Sequence, residues 1–210
     1  MKFHKKENWK DEELEEIEYE PTTVKEILTE MKDISELILD LAYSSLILGD
    51  LEIADEVRYL EARMDTLNHR IRLQTMVAAR TIEDAEDLVG ILQVASSAEK
   101  ISNAAGDIAS ILEKIPDIKN YAVTLFREAD ERILTLQIPE QSPMNRKTIQ
   151  KLDIELETGL RVVAIRRDRR YIYGPEGDQI LFSKDMLILR GVEEGLQHLI
   201  QLAEGKVDHL

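Results

Sequence analysis

Five arginines crowd into ten residues of this chain: Arg161, Arg166, Arg167, Arg169 and Arg170. A guanidinium is a planar fork of N–H donors that fits phosphate and carboxylate oxygens two at a time, so the cluster has the chemistry of an anionic-ligand site. Tyr171 or Tyr173 can cover a base beside it. The same arginines can instead pair with the acidic part of the chain or guard a sheet edge against aggregation. A second constellation is Glu61, Asp65 and His69, four residues apart and therefore on one side of a helix. With Glu99 and Asp107 from a neighbouring helix, these side chains can share a divalent ion. The other reading is a solvated face with ordinary i, i+4 charge pairs, because Arg58, Arg63 and Arg70 lie nearby.

The elements that carry these residues are legible from periodicity. Pro21-Thr22-Thr23 with Glu26 marks a helix start with a capping box. Val24, Ile27, Leu28, Met31, Ile34, Leu37, Ile38 and Leu41 then recur at three and four, one side of a long helix ended by Gly49-Asp50. A second helix to about Ala79 carries Val57, Leu60, Met64, Leu67 and Ile71 in a/d order, the seam of a bundle. Thr81 with Asp84 opens a third, whose seam is read as Ile91, Val94, Ala98, Ile101, Ala105, Ile108 and Leu112. Its many small residues between Ala95 and Ser110 let another backbone come close. Three such helices expose more apolar surface than they bury among themselves, which predicts a homodimer.

Downstream the period changes. Residues 117–130 read as a short connecting helix with Ile118, Tyr121, Ala122, Leu125 and Ala129 on one side. Ile133 to Ile138 is a strand, Asn145 to Glu155 a helix, and Leu160–Arg166, Arg170–Tyr173 and Met186–Arg190 a strand meander separated by turn residues. A helix from Val192 to Leu202 lays Val192, Leu196, Leu199 and Ile200 on the sheet. The fold class is α+β: an N-terminal up-down helical bundle, then a small domain with an antiparallel-rich sheet. The expected divisions are a charged arm at 1–21, a helical domain at 22–116, the connector at 117–130, the mixed domain at 131–205 and a tail at 206–210.

The meander carries a resemblance. Gly159-Leu-Arg-Val-Val-Ala-Ile-Arg-Arg167, Tyr173-Gly-Pro175 and Lys184-Asp-Met-Leu-Ile-Leu-Arg-Gly191 resemble the C-terminal lobe of regulators of potassium conductance, the TrkA C-terminal domain. Leu134-Thr-Leu-Gln-Ile138, Ser142 and the 145–152 segment extend the likeness to about a third of the chain. In that family the lobe dimerises, and several members bind a cyclic dinucleotide between two lobes. The resemblance thus implies a nucleotide or cyclic-dinucleotide effector and a membrane potassium channel or cation transporter subunit as partner. Residues 22–115 resemble one three-helix half of a PhoU domain, through Glu61-Ala-Arg-Met-Asp65 and Glu99-Lys-Ile-Ser-Asn-Ala-Ala-Gly-Asp107. Some members of that family bind metal clusters there, so the likeness implies a divalent metal. Asn103 departs from it, standing where the family usually has Asp.

Composition trims the alternatives. With 42 acidic residues against 27 basic, the net charge is −15, which opposes general nucleic-acid binding. Eight acidic residues against four basic fall within the first twenty. No cysteine is present, so disulfides, thiolate metal sites and a cysteine nucleophile are excluded. No run of eighteen apolar residues exists for membrane insertion, and no apolar leader opens the chain. The expected location is the cytoplasm, peripheral to the membrane through a partner. His4, His69, His198 and His209 are scattered, and no phosphate loop or Gly-x-Ser-x-Gly elbow occurs, so no enzyme is expected. The Gly-x-Gly-x-x-Gly of a dinucleotide lobe is also missing, which removes that route to NAD. Two functions follow: a regulator of potassium or cation transport, or a metal-dependent controller of phosphate uptake whose last lobe only dimerises.

Overall fold

The computed structural model describes residues 23–115 and 129–207, together with residues 118, 121 and 124. Three antiparallel helices come first: α1 (Val24–Leu48), α2 (Leu51–Ala78) and α3 (Ile82–Lys114). Thr23 and Glu26 form the capping box of α1, and Thr81 and Asp84 that of α3. Gly49 takes the left-handed conformation that ends α1, and the Asp50 carboxylate at once caps α2 by accepting from the amides of Glu52 and Ile53. The α2 seam is fully buried, with Leu60, Met64 and Ile71 at 0% exposure.

The third helix keeps Ala98, Ala105 and Leu112 of its expected seam but not the large residues between them. Its buried line is Ala95, Ala98, Ser102, Ala105, Ala109 and Leu112, whereas Val94 and Ile101 are exposed and Ile108 is only partly covered. Small residues win the inner positions because α3 lies close to α2. A Cβ on Gly106 would sit 2.3 Å from a carboxylate oxygen of Glu61.

The second part is a four-stranded antiparallel sheet in the order β1-β4-β2-β3, made of β1 (Arg132–Gln137), β2 (Arg161–Arg167), β3 (Arg170–Tyr173) and β4 (Met186–Gly191). Short helices α4 (Ile149–Leu152) and α5 (Ile154–Thr158) replace the single helix expected over 145–155. The break is at Asp153, whose φ of 45° ends one helix and starts the next. Helix α6 (Glu193–Ala203) lays Leu196, Leu199 and Leu202 inward, while Val192 is its partly exposed N-cap. Residues 118, 121 and 124 are helical, and the rest of the expected connecting helix lies outside the described residues, as do the 1–21 arm and residues 208–210. The fold is α+β.

The sheet is a middle layer. Ile165, Leu187 and Leu189 face α6 and share a cluster with Leu196 and Leu199. Val163, Ala164 and Ile188 face the other way, into the cluster that fills the three-helix bundle. Two successive residues of β2 can do so because the pairing with β4 slips between Val162 and Ala164, leaving Val163 as the extra residue of a bulge.

Candidate functional site: the junction of the bundle and the sheet

The five arginines do not converge. Arg161 starts β2 and Arg167 ends it, which separates them by roughly 20 Å of extended chain. Arg167 is committed inside its own lobe: its Nε and Nη2 donate to Asp185 at 2.8 and 2.7 Å and Nη2 also to the Ile180 carbonyl, while the guanidinium lies 4.5 Å over the Phe182 ring. Asp185 is buried, and its hydrogen bond to Arg167 holds the guanidinium more firmly charged than usual. Arg166, Arg169 and Arg170 are exposed at the tip of the β2–β3 hairpin, around Asp168 with its φ of 55°. Arg161 points toward the bundle, 3.7 Å from Glu36 of α1.

Arg161 lines an open cleft of about 730 Å³. Glu36 of α1, Asp153 and Glu155 bring three carboxylates to its lining and Gln150 an amide, while Ile149, Ile154, Leu156 and Leu160 supply the apolar part. That is the size range of small-molecule sites, and Arg161 is its one guanidinium among those carboxylates. The sequence marked Arg161 but not Glu36, which lies 125 positions away; only its place on the polar edge of α1 hinted at it.

The tyrosines proposed to cover a base have another task. Tyr171 Oη donates to Asp50 Oδ2 at 2.6 Å and Tyr173 Oη to the Glu52 carbonyl at 3.2 Å, so edge strand β3 grips the cap of α2. Their rings stack 5.3 Å apart. Burial, then the bond to Asp50, pushes the Tyr171 phenol up to about 12, and burial pushes Tyr173 up as well. On the other side of the junction, Arg190 of β4 donates to Asp40 of α1 at 2.9 Å and pairs with Glu131 at 3.0 Å. Asp40 is buried, and among the described residues its second oxygen, Oδ2, has no hydrogen-bond partner. Gly174 closes the contact, since a Cβ there would meet Leu37 at 2.8 Å.

In the bundle, Asp65 and Asp107 of the expected metal set lie near enough to Glu61 to act on its charge. Burial, with Asp65 and Asp107 close by, pushes the Glu61 carboxyl above its ordinary 4.5. Glu99 instead faces Arg72 at 3.7 Å, and His69 is exposed. Among the described residues no three His, Asp or Glu side chains form a group that can hold a metal ion. The neighbouring arginines pair mainly across the bundle and not at i, i+4: Arg58 with Glu113 of α3 as well as Asp55 of its own helix, and Arg63 with Glu30 of α1 at 2.8 Å.

With this geometry in hand, two family models match the chain, a PhoU domain over residues 28–112 and a TrkA-C domain over residues 133–203. The chain joins a PhoU domain to a TrkA-C domain. No curated protein matches it. Among solved structures it is similar to the C domain of the potassium transport protein KtrA in complex with c-di-AMP, at 26% identity over 44% of this chain and 98% of that one, with a TM-score of 0.33. It is also similar to Streptococcus agalactiae BusR in complex with its promotor DNA, at 16% identity over 81% and 96% of the two chains, with a TM-score of 0.34. The GsuK channel bound to NAD matches at 21% identity and a TM-score of 0.32, over 52% of this chain but only 21% of the GsuK chain. Among the described residues, no helix of this PhoU–TrkA-C chain is long and apolar enough to cross a membrane.

Proposed function

We propose that this chain is a non-enzymatic regulatory subunit, cytoplasmic and brought to the membrane by its partner, a potassium channel or other cation transporter. An effector occupies the cleft at Arg161, its anionic group taking the place of Glu36 on the guanidinium and its hydrogen-bond donors meeting Asp153 and Glu155. The observation that carries this reading is the composition of the cleft wall: Arg161 belongs to the sheet and Glu36 to α1. A ligand that competes for the Arg161 fork touches both bodies at once and therefore favours one of their arrangements over another. The net charge of −15 supports a protein partner over DNA.

Thermal unfolding of the full chain with c-di-AMP, NAD and simple nucleotides tests the reading. A ligand at a hundredfold excess over its dissociation constant adds roughly 2.7 kcal/mol, and Arg161→Gln abolishes that gain while Arg169→Gln preserves it. No stabilisation by any of these probes, or a gain that survives Arg161→Gln, overturns the proposal. A second reading, a metal-dependent controller of phosphate uptake, is supported by the approach of Glu61, Asp65 and Asp107. It requires zinc, iron or magnesium to bind in equilibrium dialysis and to be lost in Glu61→Ala/Asp65→Ala.

A further inference from the structure

At the end of the bundle where α1 begins, the cover over α3 is incomplete. None of the α3 residues before Ala95 is buried, although Leu88, Ile91 and Leu92 among them are large and apolar. Beside Ile91, the first turns of α1 form the other wall of an open groove of about 480 Å³, lined by Val24, Lys25, Leu28, Thr29, Lys32 and Ile91. Val24, Leu28 and Ile91 rest against the core on one side and line the groove on the other. The lining holds two lysines and no carboxylate. Lys25 is exposed, and Lys32 is 63% exposed while sharing its charge with Glu36 at 2.8 Å. An apolar floor whose only charges are positive fits an occupant that is apolar and acidic together.

The chain itself carries such a segment next to the groove. Asp11-Glu-Glu-Leu-Glu-Glu-Ile-Glu-Tyr-Glu20 consists of seven carboxylates together with Leu14, Ile17 and Tyr19, and nothing else. Only Pro21 and Thr22 separate it from Thr23, the cap of α1. Thr23 is extended, with φ −73° and ψ 154°, so the chain leaves the helix axis there instead of continuing it. Pro21 enforces the same change of direction on the residue before it. Leu14 and Ile17 are three positions apart, a spacing that puts both on one side of a helical turn, as the spacing of four does for Val24 and Leu28 on α1. A chain that doubles back at Pro21 sets Ile17 beside Val24 and Leu14 beside Leu28, and its glutamates then come within reach of Lys25 and Lys32.

We propose that residues 11–20 lie antiparallel to α1 in this groove, as a strap across the α1–α3 seam of the same chain. Ion pairs at so open a site are screened by salt, the screening length falling from about 10 Å at 0.1 M to about 3 Å at 1 M. The strap therefore holds at low salt and slackens as salt rises, which ties the cover of the bundle to ionic strength. The groove shares no residue with the cleft at Arg161, so the strap stands or falls separately from the regulatory reading.

Fluorescence of the full chain tests it. Trp9 is the only tryptophan, so Trp9→Phe/Leu14→Trp puts the sole indole at the proposed contact. At low salt its emission is blue-shifted and it resists quenching by acrylamide. Adding Lys25→Glu/Lys32→Glu moves the emission to that of a solvated indole and raises quenching several-fold with helicity unchanged, whereas Lys25→Arg/Lys32→Arg keeps the blue shift. A hundredfold dilution leaves the emission as it was. An indole solvated from the start, or a blue shift that the glutamates leave intact, overturns the proposal. A blue shift lost on dilution also overturns it, since the segment then comes from a second copy. The natural sequence gives an independent measure: removing residues 1–20 speeds hydrogen exchange in residues 82–92 of α3 and leaves α6 unchanged. Equal exchange in α3 with and without those residues overturns the strap.

Discussion

The two faces of the sheet are built from different chemistry. Toward α6 the centre is Ile165, Leu187 and Leu189 against Leu196, Leu199 and Leu202, an apolar layer of the kind that decides whether a lobe folds at all. Toward the bundle the centre is only Val163, Ala164 and Ile188, and around them Arg161, Arg190, Tyr171 and Tyr173 each reach a carboxylate or carbonyl of α1 or α2. Small apolar area with a polar rim is the composition of an interface between bodies that can move. The first face specifies the TrkA-C lobe, and the second specifies where that lobe rests.

The largest expected effect lies on the first face. Leu199 is fully buried, and Leu199→Ala costs about 2–5 kcal/mol through lost burial and the cavity left behind. The urea midpoint drops accordingly, and amides of β2, β4 and α6 lose protection from hydrogen exchange together. A cost below about 1 kcal/mol removes the contrast between the faces.

Arg190→Ala strikes the second face and is smaller, about 1–3 kcal/mol. It strands a buried carboxylate, because Asp40 Oδ2 already lacks a partner among the described residues and Oδ1 then loses its own. Exchange should quicken in α1 and the α1–α2 turn while α6 stays protected. Arg190→Ala/Asp40→Ala should recover part of the loss, since no charge is then buried alone. If Arg190→Ala melts α6 as well, the two faces belong to one cooperative unit and the junction is no resting place.

Local signals told much of this in advance. The capping boxes at Thr23 and Thr81, the a/d line of α2 and the turn residues between strands each act within a few positions, and the structure places helices and strands where they indicate. The failures are non-local. In α3 the expected seam holds at Ala98, Ala105 and Leu112 but slips by one position at Val94, Ile101 and Ile108, where large residues look like core, and only the close approach of Glu61 to Gly106 shows why small residues take the inside. Likewise Arg167 and Tyr171 have the right chemistry for a ligand, yet Asp185 and Asp50 engage them from 18 and 121 positions away. Nothing in the run 160–173 announces those partners. Of the candidate site, Arg161 was legible, and the cleft that gives it meaning was not.

The finest test of the junction is Tyr171→Phe, which removes one hydroxyl and its bond to Asp50 at a cost of about 1 kcal/mol near neutral pH. Its sharper signature is alkaline. The Tyr171 phenol ionises at about 12 in the folded chain against an ordinary 10.0, so the folded state favours the protonated form. The resulting stability is fully present below pH 10 and is lost as pH rises through about 12. Burial pushes the Tyr173 phenol up as well, so both proteins lose stability as pH rises above the ordinary phenol value. The difference between them isolates Tyr171: the gap in unfolding midpoint is constant up to pH 10 and narrows between 10 and 12. A gap that stays constant across that window means that the hydroxyl does not meet Asp50, and β3 then has no grip on the cap of α2.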